Sequence, residues 1–332
     1  MATIGNSVLT LADWAKRRDP DGGTAKIVEM LSQNNAMLDD MLWQEGNLPT
    51  GHQATIRTSL PSVAWRLLNQ GTAPSKSTTA QVSFQTGILE AWSEIDQDIA
   101  ELNGDVKATR LSESEAFLEA MSQEVQQTMI YGTNANPEEF VGLASYYDSK
   151  TDNSGENIVD AGGTGSDNAS IYLVGWGARA IYGIFPKGSK AGLSRQDMGL
   201  VTVETTAGIA GNRMRAYQEH FKWKPGLVVE DWRQGARIAN IDVSNLIADG
   251  AGASVKVIEY MIQAVHKINK SNMGKFAFYT NRTVAAMLDI QAQNKANVLL
   301  KVDEFAGKRV LSFRGIPIRI VDAMLTTEAR VV

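Results

Sequence analysis

Apolar and polar positions change rhythm several times along this chain. Ile27, Val28, Leu31, Leu38 and Leu42 keep a mostly helical spacing and predict a helix from Thr24 to Trp43. A short helix before it opens on a capping box at Thr10 and Asp13 and stops at Pro20. From Asn47 to Phe84 the rhythm becomes strand-like, with Ile56, Thr58 and Leu60, then Val82 and Phe84. Between these two runs lies the polar, turn-rich "NQGTAPSKSTT". The pattern predicts a long two-stranded excursion with few residues for a core of its own. A lone hairpin is marginal in water, so this one needs another surface to lie on.

Helical spacing returns at Ile88, Trp92, Ile95, Ile99 and Leu102, with Glu90, Glu94 and Glu101 opposite and Asp98 at the flank. A stronger helix is predicted from a capping box at Ser112 and Glu115 to Gly132, burying Leu118, Met121, Val125 and Met129. Tyr146 to Ser170 is rich in Asp, Asn, Ser and Gly and predicts a loop or domain boundary. "SIYLVGWGARAIYGIF" and "GLVVEDW" read as strands. Ser254 opens a late helix along Ile258, Met261, Ile262, Val265 and Ile268, and Thr280 or Asn281 opens another through Leu288. Ile316, Ile318 and Ile320 alternate as a closing strand. The class is α+β, without an internal repeat.

Composition narrows the function. The chain of 332 residues is 43% apolar and 21% charged, as in folded globular proteins. A net charge of −5 argues against a free-standing basic nucleic-acid binder. With no Cys, disulfides, thiolate metal sites and Cys nucleophiles are excluded. No basic start followed by an apolar run marks a signal peptide, and Ile171 to Phe185 is too short to span a bilayer. No membrane partner is expected.

Candidate chemistry is sparse. His52, His220 and His266 lie far apart, none at a ligand spacing from another, so no metal site is expected. The acid pairs Asp39–Asp40, Glu138–Glu139 and Glu230–Asp231 are adjacent residues that point apart, and no G-x-S-x-G elbow is present. The Gly183–Lys190 stretch, "GIFPKGSK", resembles a phosphate loop, but Lys follows Ser instead of preceding it. Pro186 removes one N–H from the cradle, and no apolar helical stripe follows. A structural turn is the better reading, a nucleotide-binding enzyme the lesser one. No catalytic residue and no cofactor are expected.

Charge is distributed unevenly. Between Glu45 and Glu90 there is no acid, only Arg57, Arg66 and Lys76. From Glu90 to Glu124 ten acids face only Lys107 and Arg110. This predicts an intersubunit contact in which the basic excursion, with Arg57, Arg66 and Lys76, lies across the acidic face of Glu90, Glu94, Asp98 and Glu101 on the next copy; complementary patches steer docking and set register. Gly175 to Arg237 holds ten basic residues against five acids. It could face phosphate or balance acids on a neighbour, and the sequence leaves both open.

Longer phrases carry a resemblance. "WGARAIYGIFPKGSKAGLSRQDMG", preceded by "GGTGSDNASIYLV", is similar to the middle of major capsid proteins of tailed bacteriophages. "LADWAKRRDP", "MLWQEGNLPTGHQATIRTSLPSVAWRLLNQG", "YGTNANPEEFVGL", "WRQGARIANID", "FYTNRTVAAMLD" and "FRGIPIRIVDAMLTTEARV" resemble other segments of that family in the same order, over nearly the whole chain. The resemblance implies the Hong Kong 97-like fold: an N-terminal arm and helices (1–46), an extended two-stranded loop (47–87), a peripheral domain with a long spine helix (88–145), and an axial domain with a returning strand (146–332). It implies hexamers and pentamers closing an icosahedral shell around double-stranded DNA, bound without sequence readout. It also implies a place in the virion after assembly in the bacterial host cytoplasm, and scaffolding, portal and cementing proteins as further partners. A tail or decoration protein is the alternative of the same kind. Some relatives join subunits by a Lys–Asn bond aided by a Glu. Lys76 stands at the loop tip, but no matching Asn and Glu can be placed.

Overall fold

The computed structural model describes residues 33, 35–102, 105–204, 213–249, 256–268, 274–294, 300–305 and 308–332. The capping box at Thr10 and Asp13, most of the helix expected from Thr24 and the cap at Ser254 lie outside these. The first described elements are helix α1 (Ala36–Asp40), which places Met37 in the core, and strand β1 (Trp43–Glu45). The expected helix therefore stops short of Trp43. The backbone turns extended at Met41, and Trp43, Gln44 and Glu45 pair in parallel with Gly183, Ile184 and Phe185.

Strands β2 (Gly51–Ser59) and β3 (Thr78–Gln85) form an antiparallel ribbon from Gly51↔Gln85 to Ser59↔Thr78. Next comes the main correction. Ile88 to Leu102 is not one helix but strand β4 (Leu89–Asp96) and a one-turn helix α2 (Gln97–Glu101). All of β4 pairs with a strand more than a hundred residues later, from Leu89↔Trp223 to Asp96↔Ala216. That ladder overrides a helical spacing built largely from Trp and Ile, which suit strands well. Ser93 and Ile95 then face inward, while Glu90 and Trp92 face out.

The long helix α3 (Val106–Tyr131) starts earlier than the Ser112 box suggests. Asp105 caps it by accepting from the Ala108 N–H at 3.0 Å, and Gly132 closes it on the Thr128 carbonyl. Its 26 residues make it about 39 Å long. Met121, Val125 and Met129 are buried, whereas Leu118 is 36% exposed. Helix α4 (Leu143–Tyr146) leads into the expected loop, and strand β5 (Ile158–Asp160) interrupts it.

Strand β6 (Asn168–Trp176) is buried along its whole length. Ile171 and Leu173 face one apolar cluster, and Tyr172, Val174 and Trp176 face another containing Val125, Met129 and Ile130 of α3. Strand β7 (Ile181–Phe185) meets its end at Trp176↔Ile181. Strands β8 (Ser194–Glu204) and β9 (Arg213–Trp223) form a second hairpin, which joins β4 as a three-stranded sheet. Strand β10 (Gly226–Val229) pairs with β7, and β11 (Gly235–Asp242) with β5 and β6. Helices α5 (Val243–Asp249) and α6 (Val257–Lys267) follow; Ile258, Met261 and Val265 of α6 are buried as its stripe predicts. Strand β12 (Lys275–Thr280) runs antiparallel to β6, and α7 (Arg282–Asn294) is capped by Asn281, whose Oδ1 accepts from the Val284 N–H at 2.8 Å. Strands β13 (Leu300–Phe305), β14 (Lys308–Phe313) and β15 (Ile316–Ile320) complete the central sheet. Strand β15 lies parallel to β12.

Candidate assembly surface

The ribbon rests on a well-anchored root. Ala54 and Phe84 pack with Tyr182, Ile184 and Val228. Backbone bonds tie both strands down: Gly46 N–H to Phe185 O, Thr86 N–H to Thr50 O, and Gly87 N–H to Pro225 O, at 2.8 to 3.1 Å. His52 sits at this root, its Nε2 3.3 Å from the Tyr182 hydroxyl.

Beyond the root the ribbon is bare. Every residue from Arg57 to Lys76 is exposed. The tip carries Leu60, Val63, Trp65, Leu67 and Leu68, each at least 70% exposed. Soluble monomers rarely display so many large apolar side chains in one short run. Fully burying each contributes about 1.5–3 kcal/mol. Among the described residues the tip is held by small bonds, Ser75 Oγ to Ser62 O at 2.8 Å, Arg66 Nη1 to Gln70 O at 3.0 Å and Gln70 N–H to Leu67 O at 3.2 Å. "LPSVAWRLL" is legible as an apolar run in a polar turn region; attention to its alternation and charge alone passed it over.

The acids of the expected contact divide into two groups. On β4, Glu90 binds Lys222 and lies 3.3 Å from His220 Nε2. Its pKa is lowered, chiefly by the Lys222 hydrogen bond. Glu94 accepts from Gln218 Nε2 at 2.8 Å. Between them Trp92, nearly half exposed, stacks on His220 at 4.1 Å. Asp98 and Glu101 sit on α2; the Asp98 N–H bonds Asp96 and the Glu101 carboxylate bonds Gln97. Among the described residues, no ion pair joins Arg57, Arg66 or Lys76 to any of these acids within one chain. The exposed face of β4 and β9 is thus an aromatic–charged platform rather than the acidic flank of a helix.

Behind it, the other face of this sheet packs on α3 through a polar knot. Glu219, 2% exposed, accepts from Arg195 Nε and Nη2 at 2.9 Å, from Arg110 Nη2 at 2.7 Å and from Ser114 Oγ at 2.7 Å. Arg110 also pairs with Asp197 at 2.6 Å. Burial works to raise the Glu219 pKa, but the Arg195 and Ser114 hydrogen bonds and the two guanidinium charges outweigh it and leave it lowered.

The glycine-rich turn has its donors occupied. Gly183 to Phe185 belong to β7, and Pro186 to Ser189 close a turn through Ser189 N–H to Pro186 O. Gly188 adopts φ +78, which favours glycine. Its N–H is held at 2.7 Å by the carboxylate of Glu45, and that of Lys187 by Leu48 O. A strand, not a helix, follows.

Four of the ten basic residues between Gly175 and Arg237 are paired within the chain. Arg195 serves Glu219, Lys222 serves Glu90, Arg233 serves Asp231 and Arg237 serves Glu328. His266 lies 3.4 Å from Arg314. Among the described residues no three His, Asp or Glu converge as metal ligands, and no helix is long and apolar enough to cross a membrane.

A family model for the major capsid protein GP7 matches residues 19–332. The chain is similar, at 35% identity and a TM-score of 0.80, to a chain in the near-atomic structure of bacteriophage epsilon15, over 100% of this chain and 99% of that one. It is also similar to the capsid of an empty GTA particle (9% identity, TM-score 0.42, 69% and 97% covered). A further likeness is to the holo-SrpI encapsulin complex from Synechococcus elongatus (11% identity, TM-score 0.45, 70% and 97% covered). No curated protein matches.

Proposed function

The chain belongs to the major capsid protein GP7 family, and from that premise we propose that its bare ribbon tip is the element that joins one subunit to the next. The protein is a tailed-phage major capsid protein with the Hong Kong 97-like α+β fold, many copies of which form the icosahedral shell. The observation that carries the proposed contact is the exposed run Leu60 to Leu68, for which the described residues offer no cover. A second copy is the occupant that fits. Its exposed β4–β9 face offers Trp92 and His220 for stacking and Glu90 and Glu94 for the ribbon's Arg57 and Arg66, with Asp98 and Glu101 at the edge and Lys76 solvated nearby. Apolar burial supplies strength, and charge supplies register. Repetition around a closed shell multiplies each weak contact.

In this reading the subunits group as hexamers and pentamers, assemble in the host cytoplasm, and enclose double-stranded DNA without sequence readout. Scaffolding, portal and cementing proteins are further partners, and no catalytic step is involved. The division is an arm (1–46), a ribbon (47–87), a peripheral part (88–145) and an axial part (146–332), with the β8–β9 hairpin lent by the last to the peripheral part. Trp65→Ser and the pair Arg57→Glu, Arg66→Glu test it. Each variant should keep the parent circular dichroism and unfolding midpoint yet give no closed particles by electron microscopy. Normal particles from the Trp65 variant would overturn the contact.

A further inference from the structure

Three strands bring an ionisable cluster to the exposed side of the β4–β9–β8 sheet. Ladder pairs set Glu90 opposite Lys222, Trp92 opposite His220 and Glu94 opposite Gln218, so all six side chains share one face. Along the other edge of β9, Ser194 pairs with Lys222 and Gln196 with His220. His220 therefore stands in the middle of the face. The charged groups around it are Glu90 and Glu94 on β4 and Lys222 on its own strand, while β8 contributes the uncharged Ser194 and Gln196. Arg195 and Glu219, one position along their strands, turn to the opposite face and pair with each other.

The His220 ring is held from two directions. It stacks on Trp92 with centroids 4.1 Å apart and planes 21° from parallel. Its Nε2 lies 3.3 Å from Glu90 Oε2, and Lys222 binds the other oxygen of that carboxylate. The Glu90 pKa is lowered, first by the Lys222 hydrogen bond, so the carboxylate is ionised and only accepts. The neutral ring accordingly carries its proton on Nε2, and Nδ1 is the atom left to take up another. That second proton turns the hydrogen bond to Glu90 into an ion pair and the stack on Trp92 into a cation–π contact. It also changes the charge of the face. Glu90 and Glu94 against Lys222 leave one net negative charge when the ring is neutral and none when it is protonated.

We propose that His220 is a proton switch for ribbon docking: the neutral ring leaves the face open to the guanidinium groups of Arg57 and Arg66 from a neighbouring copy, and the protonated ring opposes them. This switch rests on the ribbon contact proposed above, whose regulation it supplies. Proton and ribbon compete for the same carboxylates. Docking therefore expels the proton, and acid loosens docking by the same factor. An exposed charge contributes little to a single contact, which sets the effect at about two- to five-fold per subunit. A closed shell repeats it at every subunit. Histidine is the side chain whose ordinary charge change falls between about pH 5 and 8. Glu219 and Asp160, with lowered pKa values, keep their charge across this range.

The test is the critical concentration for assembly of the full chain, read by light scattering from about pH 8 to 5.5 at low salt. It should rise about two- to five-fold toward acid, and the rise should vanish in about 1 M sodium chloride, where the charges are screened. His220→Gln takes up no proton and should give a flat profile. His220→Arg is permanently charged and still stacks on Trp92; it should be flat too, with its value at pH 8 raised to the parent's acid value. His52→Gln and His266→Gln should keep the parent slope. A flat parent profile, a slope that survives in His220→Gln, or a slope lost in His52→Gln or His266→Gln instead would overturn the switch. Trp65→Ser tells this apart from failure of the ribbon contact. If it still forms no particles while the parent profile is flat, the switch alone falls; if it forms normal particles, the contact falls and the switch with it.

Discussion

At the scale of single residues, the most informative is Glu219. A nearly buried carboxylate sits against two arginines and a serine, so removing it leaves two guanidinium groups facing each other beneath the sheet. Arg195 is partly exposed and Arg110 keeps Asp197, so breaking the network from this side costs about 1–3 kcal/mol. Urea unfolding of a Glu219→Ala chain should show a loss of that size without a change in the m-value. The knot also sets a pH dependence. A carboxyl group whose folded pKa lies below its ordinary value of 4.5 contributes stability that is fully present above that value and is lost as pH falls through the lowered one. Asp160, held down by Lys150, Asn240 and the Gly162 N–H against its own burial, acts in the same direction. The unfolding midpoint should therefore fall below about pH 4.5, and less steeply in a Glu219→Gln chain, as read by thermal melts across pH. None of this was legible in advance. Glu219 sits in an ordinary mixed run, and its meaning depends on Arg110 and Arg195, which only the fold brings together.

At the scale of elements, legibility followed locality. Strand β6 keeps its continuous apolar run, and helix α6 and strand β15 their periodicity, within one segment, and each lies where its pattern places it. Strand β4 was misread for a physical reason. Trp92, Ile95 and Ile99 are spaced as on a helix, and the partner that decides otherwise, β9, is distant in sequence. The start of α3 was displaced because two capping signals compete; Asp105 prevails and Ser112 lies within the helix. Asp105→Ala should therefore destabilise the protein by about 1 kcal/mol, while Ser112→Ala should leave it within about 0.5 kcal/mol, both measured by denaturant unfolding. The ribbon was legible as strands, but the exposed apolar surface of its tip lies in five side chains that no periodicity marks.

At the scale of the whole molecule, the proposed contact combines two forces that salt separates. Apolar burial does not weaken in salt, whereas charges separated by more than about 3 Å are screened near 1 M. Particles of the parent chain should persist in about 1 M sodium chloride by light scattering. The Arg57→Glu, Arg66→Glu chain should regain assembly there, because repulsion is its only defect. The Trp65→Ser chain should not. Rescue of both or of neither would mean that strength and register are not divided as proposed. The ordered family resemblance foresaw the shell; it did not foresee which side chains hold it together, since that depends on what stays uncovered once the chain has folded.

The root of the ribbon has a mechanical consequence. Both of its strands leave a foundation braced on two sides, by β1 with its Glu45 clasp on Gly188 and by the bonds of Thr86 and Gly87. Such a base does not swivel. A load applied at the outstretched end is carried as torque into the central sheet, and any yielding must take place along the two-stranded arm above Ala54. In the proposed contact, a neighbour's tilt loads this arm as a weight loads the end of a cantilever.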